Sequence, residues 1–225
     1  VNKCHIVEGQ PNVYFLETTI VLERENQLSP KPGQFYLIKG SNSKVNYNRP
    51  ISVYHSEEKI SGGKKNVTVQ YMILEKGRGT QDLCHLRSGE TVTTIGPLGT
   101  PWKIPKNINT AKAEICIVGG GIGVAPVANL ASVLPDGSYD FYASFKSGSY
   151  GLENVKAKNL FITTDDGSVG IKGMLPVALS KEAVKKAGYK VIYACGPTPA
   201  LAYIKDLADE LGVQCYLSME HRMLC

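Results

Sequence analysis

An antiparallel β-barrel followed by a doubly wound, parallel α/β nucleotide-binding domain is the fold class that this sequence predicts. Roughly the first hundred residues read as short strands separated by turn signals. Beyond Trp102, apolar strands alternate with helical segments, as in a parallel sheet with helical crossovers. In that second part the glycine-rich run Gly119-Gly120-Gly121-Ile122-Gly123 directly follows the apolar run Ile115-Cys116-Ile117-Val118, the signature of a strand-to-helix turn close to a phosphate.

Val13–Glu23 is rich in β-formers: Val13, Tyr14, Phe15, Thr18, Thr19, Ile20 and Val21. The turn Ser29-Pro30-Lys31-Pro32-Gly33 precedes a second strand, Gln34–Lys39. Ile51–Tyr54 and Val67–Leu74 are further strands, joined through Ser61-Gly62-Gly63-Lys64-Lys65-Asn66. Gln81-Asp82-Leu83-Cys84 reads as a turn of helix, and Thr91–Ile95 as a strand ending in Gly96-Pro97-Leu98-Gly99. Short strands this densely spaced predict a closed barrel or a sandwich.

The run Ile115–Val118 is uninterrupted, as in a strand covered on both faces. A helix is expected over Pro126–Leu134, strands over Tyr139–Phe145, Leu160–Thr163 and Lys190–Ala194, and helices over Met174–Ala187 and Pro199–Leu211. The last carries Leu201, Ile204, Leu207, Ala208 and Leu211 on one face. Thr198 is its expected N-cap, Pro199 its first residue and Gly212 its stop. The boundary falls between Trp102 and Lys112, giving a barrel over 1–104, a nucleotide domain over 105–217 and a tail over 218–225.

With 43% hydrophobic and 20% charged residues in 225, the chain has an ordinary globular composition. Its net charge of +5 suits an anionic ligand, but the lysines are scattered and no basic stripe interleaves with aromatics, which argues against a nucleic-acid partner. The six cysteines (Cys4, Cys84, Cys116, Cys195, Cys215, Cys225) lie far apart, and the first residues lack the apolar core of a signal peptide. Thiols in a reducing cytoplasm are therefore expected. There is no CxxC pair and no HExxH, and His5, His55, His85 and His221 stand alone, so no complete zinc site is legible. Ile115–Leu134 is free of charge and long enough to span a bilayer, but its four glycines and Pro126 make strand, turn and helix the better reading.

Three segments carry chemistry. In Gly119–Pro126 the spacing is GxGxxP, glycines that let main chain approach a phosphate ahead of a helix N-terminus. Arg49-Pro50-Ile51-Ser52 enters a barrel strand with a bidentate donor for a pyrophosphate, and Ser52 with the strand amides could meet a flavin edge. Gly77-Arg78-Gly79-Thr80 closes another strand and forms a second cradle, with the Thr80 hydroxyl as a donor. Two cradles in different halves argue for two nucleotide-type ligands. Ser144-Phe145-Lys146-Ser147, after the second α/β strand, lacks the acid that would hold a ribose 2′-hydroxyl; Lys146 and Ser147 could tolerate a 2′-phosphate, or Lys146 is a solvated loop residue.

Taken in order, RPIS, GxGT, GPLG, GGGIGxAP, TDDGSxGxKG, CGP and SMExRMxC resemble the ferredoxin-NADP reductase superfamily. More narrowly, Thr164–Ser168 with Lys172-Gly173, and Ser218–Cys225, resemble the electron-transfer subunits of NAD-dependent dihydroorotate dehydrogenase B. The resemblance implies FAD held by Arg49, Pro50, Ile51 and Ser52, with Gly79 and Thr80 on its pyrophosphate and Met72, Ile73 and Leu74 lining the ring. Many relatives carry a Tyr-Arg pair where this chain has Ile73-Leu74. It further implies NAD(H) surrounded by Gly120, Gly121, Gly123, Asp165, Asp166, Cys195, Gly196 and Pro197. Cys195 is the candidate catalytic neighbour of the nicotinamide, and a buried core thiol is the equal alternative.

In that family the last cysteine of the motif, here Cys225, is the first of four thiolates on a [2Fe–2S] cluster. The other three are absent from this sequence, which leaves open a piece of a longer protein or a protein without the cluster; the initial Val1 leans toward a trimmed chain. The implied activity is an enzyme component of pyrimidine biosynthesis. Dihydroorotate is oxidised at FMN in a catalytic partner subunit within a heterotetramer, and electrons pass through the cluster and FAD to NAD⁺. A related subunit of a hydrogenase, a sulfide dehydrogenase or an NADH-dependent ferredoxin:NADP oxidoreductase, and a flavin-binding module without turnover, are the alternatives.

Overall fold

A computed structural model describes residues 1–22, 28–61, 64–107 and 111–219, in two units, Val1–Trp102 and Lys103–Cys225. The first unit contains β1 (Lys3–Ile6), β2 (Val13–Leu22), β3 (Phe35–Gly40), β4 (Arg49–Ser61), β5 (Lys64–Leu74), α1 (Arg78–Cys84) and β6 (Val92–Leu98). Neighbouring strands pair antiparallel in the order β1-β2-β5-β4-β3-β6. The two-residue period of β3 turns Tyr36 and Ile38 inward, where they meet Leu16, Val53, Val67, Val69, Tyr71 and Ile73 in one core. Leu83 and Cys84 of α1 are buried in the same core. The sheet's two edges are drawn together where the Val1 amine donates to the Glu90 carbonyl (2.7 Å) and Gly89 N–H to the Val1 carbonyl (3.0 Å). At the unit's end, Trp102 N–H donates to the Pro32 carbonyl at 2.9 Å.

In the second unit follow β7 (Ile115–Gly120), a 3₁₀ turn (Gly121–Gly123), α2 (Val124–Ala131), β8 (Tyr139–Phe145), β9 (Asn159–Thr164), β10 (Ile171–Lys172), a 3₁₀ turn (Leu175–Val177), α3 (Lys181–Ala187), β11 (Val191–Cys195), α4 (Thr198–Leu211) and β12 (Gln214–Ser218). The sheet is parallel throughout, in the order β10-β9-β8-β7-β11-β12. All six residues of β7 and all eight of α2 are buried, which is why this stretch carries no charge. Among the described residues no helix is long and apolar enough to cross a membrane. From β7 the chain winds outward through β8 and β9, then returns to lay β11 and β12 on the other side. The strand order therefore reverses between β7 and β11, and the carboxyl ends of those two strands flank the crevice where such sheets take their ligands.

Several local expectations are corrected. The helix expected over Met174–Ala187 is a 3₁₀ turn containing Pro176, then α3, whose N-cap Ser180 accepts from Ala183 N–H at 3.2 Å. Pro197, not Thr198, caps α4; Thr198 and Pro199 are its first two residues, where proline's missing donor costs nothing. α2 begins two residues before Pro126, which lies in its first turn, and β6 runs on through Gly96-Pro97 to Leu98. β1, β10 and β12 are strands that the sequence did not announce.

At the amino end of the parallel sheet, Asp140 is 5% exposed and fully engaged. Its Oδ2 accepts from the Tyr189 hydroxyl at 2.7 Å, and its Oδ1 from Asn159 N–H (3.2 Å) and Nδ2 (2.8 Å). Burial, with the neighbouring Cys116 and the Tyr142 and Asp140 bonds, pushes the Tyr189 hydroxyl far above its ordinary range, so it remains a donor. Tyr189→Phe is expected to cost about 1–3 kcal/mol in urea unfolding, because a buried carboxylate loses a partner that nothing replaces. An unchanged midpoint would show that water takes over the bond.

Candidate functional site

In the first unit the ladder between β4 and β5 runs from Ser61–Lys64 to Val53–Tyr71 and ends there. Beyond that point Arg49–Ser52 pair with β3 and Met72–Leu74 with β2. The two strands fork, and their facing edges offer main-chain groups that no ladder between them uses. The predicted residues Arg49, Pro50, Ile51, Ser52, Met72, Ile73 and Leu74 thus border one opening. Strand alternation turns Ile73 into the barrel core, so it can offer only main chain there, while Met72 and Leu74 share the opposite face.

Just beyond β5, α1 begins. Gly79 is buried, and a Cβ added to it would lie 2.1 Å from Arg49 Nε and 2.6 Å from its Cζ. The guanidinium therefore rests directly on the first turn of α1, where N–H groups lack intrahelical partners. Arg49 Nη1 donates to the Tyr47 carbonyl at 3.0 Å, which holds the fork in place. The expectation for the Thr80 hydroxyl is narrowed: it donates to the Gly77 carbonyl (2.9 Å) and accepts from Lys76 N–H (2.9 Å) and Gly77 N–H (3.1 Å). Those bonds close the turn into α1 and occupy its proton, leaving the main chain of Thr80 for a ligand.

In the second unit the glycine turn and Cys195-Gly196-Pro197, more than seventy residues apart in sequence, meet main chain to main chain. A Cβ on Gly123 would lie 2.5 Å from the Cys195 carbonyl oxygen and 2.7 Å from Gly196 N. A Cβ on Gly196 would lie 3.1 Å from Gly120 Cα, and one on Gly120 would lie 2.8 Å from Pro197 Cδ. Gly121 has φ +54°, the left-handed region that glycine enters without strain. Both turns cap the carboxyl ends of β7 and β11, at the reversal point of the sheet. Cys195 is half-buried at that junction, register partner of Gly119 on one side and Ser218 on the other.

Asp165 and Asp166 are exposed after β9, next to β8. Asp166 Oδ1 accepts from Ser168 N–H (2.9 Å) and from the Ser168 hydroxyl (2.7 Å), whose oxygen accepts from Gly148 N–H (2.8 Å). These Ser168 bonds, with one from the Ser147 side chain, hold the Asp166 carboxyl down to about 2. The sequence motif includes Ser168 without giving it a role, and Gly148 lies outside every motif. An Asx turn at Asp166-Gly167-Ser168 was a readable signal for the first, but nothing local pointed to the second. Thr164, fully buried, fixes the loop's base: its hydroxyl donates to the Val169 carbonyl at 2.8 Å, and its carbonyl accepts from Gly173 N–H at 2.8 Å.

Cys225 lies outside the described residues. Among those described, no group of three His, Cys, Asp or Glu side chains could hold a metal ion, and no two of Cys4, Cys84, Cys116, Cys195 and Cys215 are joined in a disulfide.

No protein-family model matches the chain. Among curated proteins, the electron transfer subunit of dihydroorotate dehydrogenase B (NAD(+)) from Clostridium acetobutylicum is 32% identical over 206 residues, covering 91% of this chain and 77% of the relative. The protein of the same name from Listeria monocytogenes serovar 1/2a is 32% identical over 211 residues, covering 92% and 78%. Among solved structures, an NADH-dependent reduced ferredoxin-NADP oxidoreductase chain superposes with a TM-score of 0.72 at 22% identity, over 99% of this chain and 76% of that one. The cytochrome b5 reductase domain of Ulva prolifera nitrate reductase does so at 0.61 and 17%, over 96% and 94%. These two likenesses are of fold: an antiparallel six-stranded sheet followed by a parallel one.

Proposed function

The chain belongs to the family of electron transfer subunits of dihydroorotate dehydrogenase B (NAD(+)), and on that footing we propose that it carries electrons from a dihydroorotate-oxidising, FMN-containing catalytic partner to NAD⁺ through an FAD of its own. The observation that carries the proposal is the pair of glycine-lined cradles, one in each unit. In the first the Arg49 guanidinium rests on Gly79, and in the second Gly120 and Gly123 pack on Cys195-Gly196-Pro197. In the second a side chain is excluded by main chain, while in the first it would displace the guanidinium; each bares main chain beside a helix start, the arrangement a pyrophosphate requires.

On this reading the residues of the two cradles take the following roles. Arg49 and the first-turn N–H groups of Gly79 and Thr80 hold the FAD pyrophosphate, a bidentate donor beside main-chain donors. Pro50, Ile51 and Ser52 on one arm of the fork, and Met72, Ile73 and Leu74 on the other, receive the flavin ring. Gly120, Gly121, Gly123, Gly196 and Pro197 let the NAD(H) pyrophosphate reach main chain at the reversal point of the sheet. Cys195 borders the nicotinamide, and Asp165 with Asp166 stands on the ribose side. The cofactors supply the hydride and single-electron chemistry when bound. The chain's own part is to hold and orient them and to exclude water, and no side-chain acid or base is needed for hydride transfer itself.

For the [2Fe–2S] centre, Cys225 is the one ligand proposed in this sequence, and the described residues offer no further set. Ser218, at the end of β12, is the register partner of Cys195.

Anaerobic addition of NADH to the FAD-loaded protein is expected to bleach the flavin absorbance stoichiometrically. With the catalytic partner present, dihydroorotate should bleach it as well. Failure of NADH to reduce the flavin would overturn the NAD(H) assignment. Failure of dihydroorotate alone would overturn the assignment of the partner.

A further inference from the structure

Two residues outside the glycine and arginine motifs, Ser43 between β3 and β4 and Asp82 in α1, meet beside the fork of the first unit. We propose that they are positioning residues of the flavin site: their hydrogen bond lays the β3–β4 connection along one face of α1 and thereby sets the Arg49 guanidinium on Gly79. This rests on the reading of Arg49 as a holder of the FAD pyrophosphate given above.

α1 spans seven residues, too few to stand on its own helical bonds, so its place is set by what packs on it. On one side Leu83 and Cys84 enter the barrel core. A neighbouring stripe, at the spacing of i and i+3, carries Gly79 and Asp82, and Leu86 follows one turn on, just past the helix end. Against that stripe the connection runs the opposite way. At its start, a Cβ on Gly40 would lie 3.3 Å from Leu86 Cδ2. Next, the Ser43 hydroxyl donates to Asp82 Oδ2. At its end, the Arg49 guanidinium rests on Gly79. Residues 40, 43 and 49 thus meet 86, 82 and 79 in turn, as one continuous seam.

The two ends of the seam fix the guanidinium poorly by themselves, since Gly40 brings no side chain and a long arginine has many rotamers to lose. The connection is pinned beside β3, where Ser41 N–H donates to the Thr91 carbonyl (3.1 Å) and the Thr91 hydroxyl to the Ser41 hydroxyl (3.0 Å). Beside β4, Arg49 Nη1 donates to the Tyr47 carbonyl. Ser43 is the joint between these anchors. Its N–H donates to the Gly40 carbonyl at 2.9 Å, its hydroxyl oxygen accepts from Val45 N–H at 3.3 Å, and its proton is given to Asp82. With Ser43 tied to α1, the carbonyl that orients the guanidinium is referred to the same helix that carries Gly79.

Nothing in the helix itself asks for an acid at position 82. Aspartate is a poor helix former, and Asp82 stands in the last turn of α1, where the helix dipole disfavours negative charge. It also lies one turn from the place proposed for an anionic pyrophosphate. Against these local costs stands the bond to Ser43.

The test is FAD binding by the full chain, stripped of flavin and titrated again, for the wild type and for single and paired variants. Asp82→Ala and Ser43→Ala are each expected to weaken FAD about fivefold or more, and Asp82→Asn, which still offers Ser43 an acceptor, to stay within about twofold of the wild type. On an Arg49→Ala background, Asp82→Ala and Ser43→Ala are expected to add less than about twofold, because the bond acts through that guanidinium. Should Asp82→Ala not fold, Ser43→Ala removes the same bond from the other side. Wild-type FAD affinity in both alanine variants, or tighter binding in Asp82→Ala, overturns the proposal. So does a loss that persists in full on the Arg49→Ala background, which would mark the bond as general support for the fold. If Arg49→Ala itself binds FAD as the wild type does, the reading of the cradle fails, and this inference with it.

Discussion

Gly123→Ala is expected to weaken NAD(H) binding at least tenfold and to destabilise the second unit by about 1–3 kcal/mol, with FAD still bound. The added methyl has no space. It would fall 2.5 Å from the Cys195 carbonyl oxygen and 2.6 Å from its carbon, both main-chain atoms held in the β11 ladder. A side-chain neighbour could swing aside, but a strand can only be pushed. The glycine turn and the Cys195-Gly196-Pro197 turn must then separate, and with them the two walls of the crevice. FAD should be spared because the cradle proposed for it lies in the other unit, which has its own core. Calorimetric titration with NAD⁺, urea unfolding and the ratio of flavin to protein absorbance read the three parts of this expectation. Native NAD⁺ affinity in a folded Gly123→Ala would remove the crevice from the functional site.

The first unit invites the complementary substitution. Gly79→Ala places a methyl on the Arg49 guanidinium, the flexible end of a side chain, so the fold should tolerate it; alanine is in addition the better helix residue. The loss should fall on the flavin. If Arg49 makes charge-assisted bonds to the FAD pyrophosphate, displacing it forfeits about 1.5–3 kcal/mol, or about 10–100-fold in affinity. Arg49→Ala should match Gly79→Ala, and Arg49→Lys should fall between them and the wild type, keeping the charge without the fork. Retention of FAD through gel filtration, against unchanged thermal unfolding of the flavin-free protein, separates the outcomes. Tight FAD binding in both Gly79→Ala and Arg49→Ala would take the pyrophosphate away from Arg49.

What could be read from the sequence was what is encoded locally. β7, the glycine turn and α4 are continuous apolar or 3.6-periodic segments with glycine signals beside them, and both the nucleotide fold and its central turn followed from these. Lys3-Cys4-His5-Ile6 is an edge strand of mixed polarity, so β1 left no periodic trace. Gln214–Ser218 hides because parallel pairing to β11, not its own composition, makes it a strand. The single helix expected over Met174–Ala187 is divided at Pro176 and Ser180 into a 3₁₀ turn and α3. At the sites, residue types were legible and their engagements were not. The Thr80 hydroxyl is spent on its own turn, Ile73 faces the barrel core, and Asp166 reaches across to the exit of β8. Each of these depends on a partner remote in sequence or on the face a strand happens to present.

The packing of Gly120 and Gly123 against Cys195-Gly196 has a consequence for how such a chain can vary through descent. Where two side chains touch, a change in one can be offset by a change in the other, and the pair leaves a covariation trace among homologues. Where main chain touches main chain there is nothing to exchange. Positions 120, 123 and 196 should each be nearly invariant, with no correlation linking them, so contact inference from correlated substitutions would miss the contact that joins the two walls of the crevice.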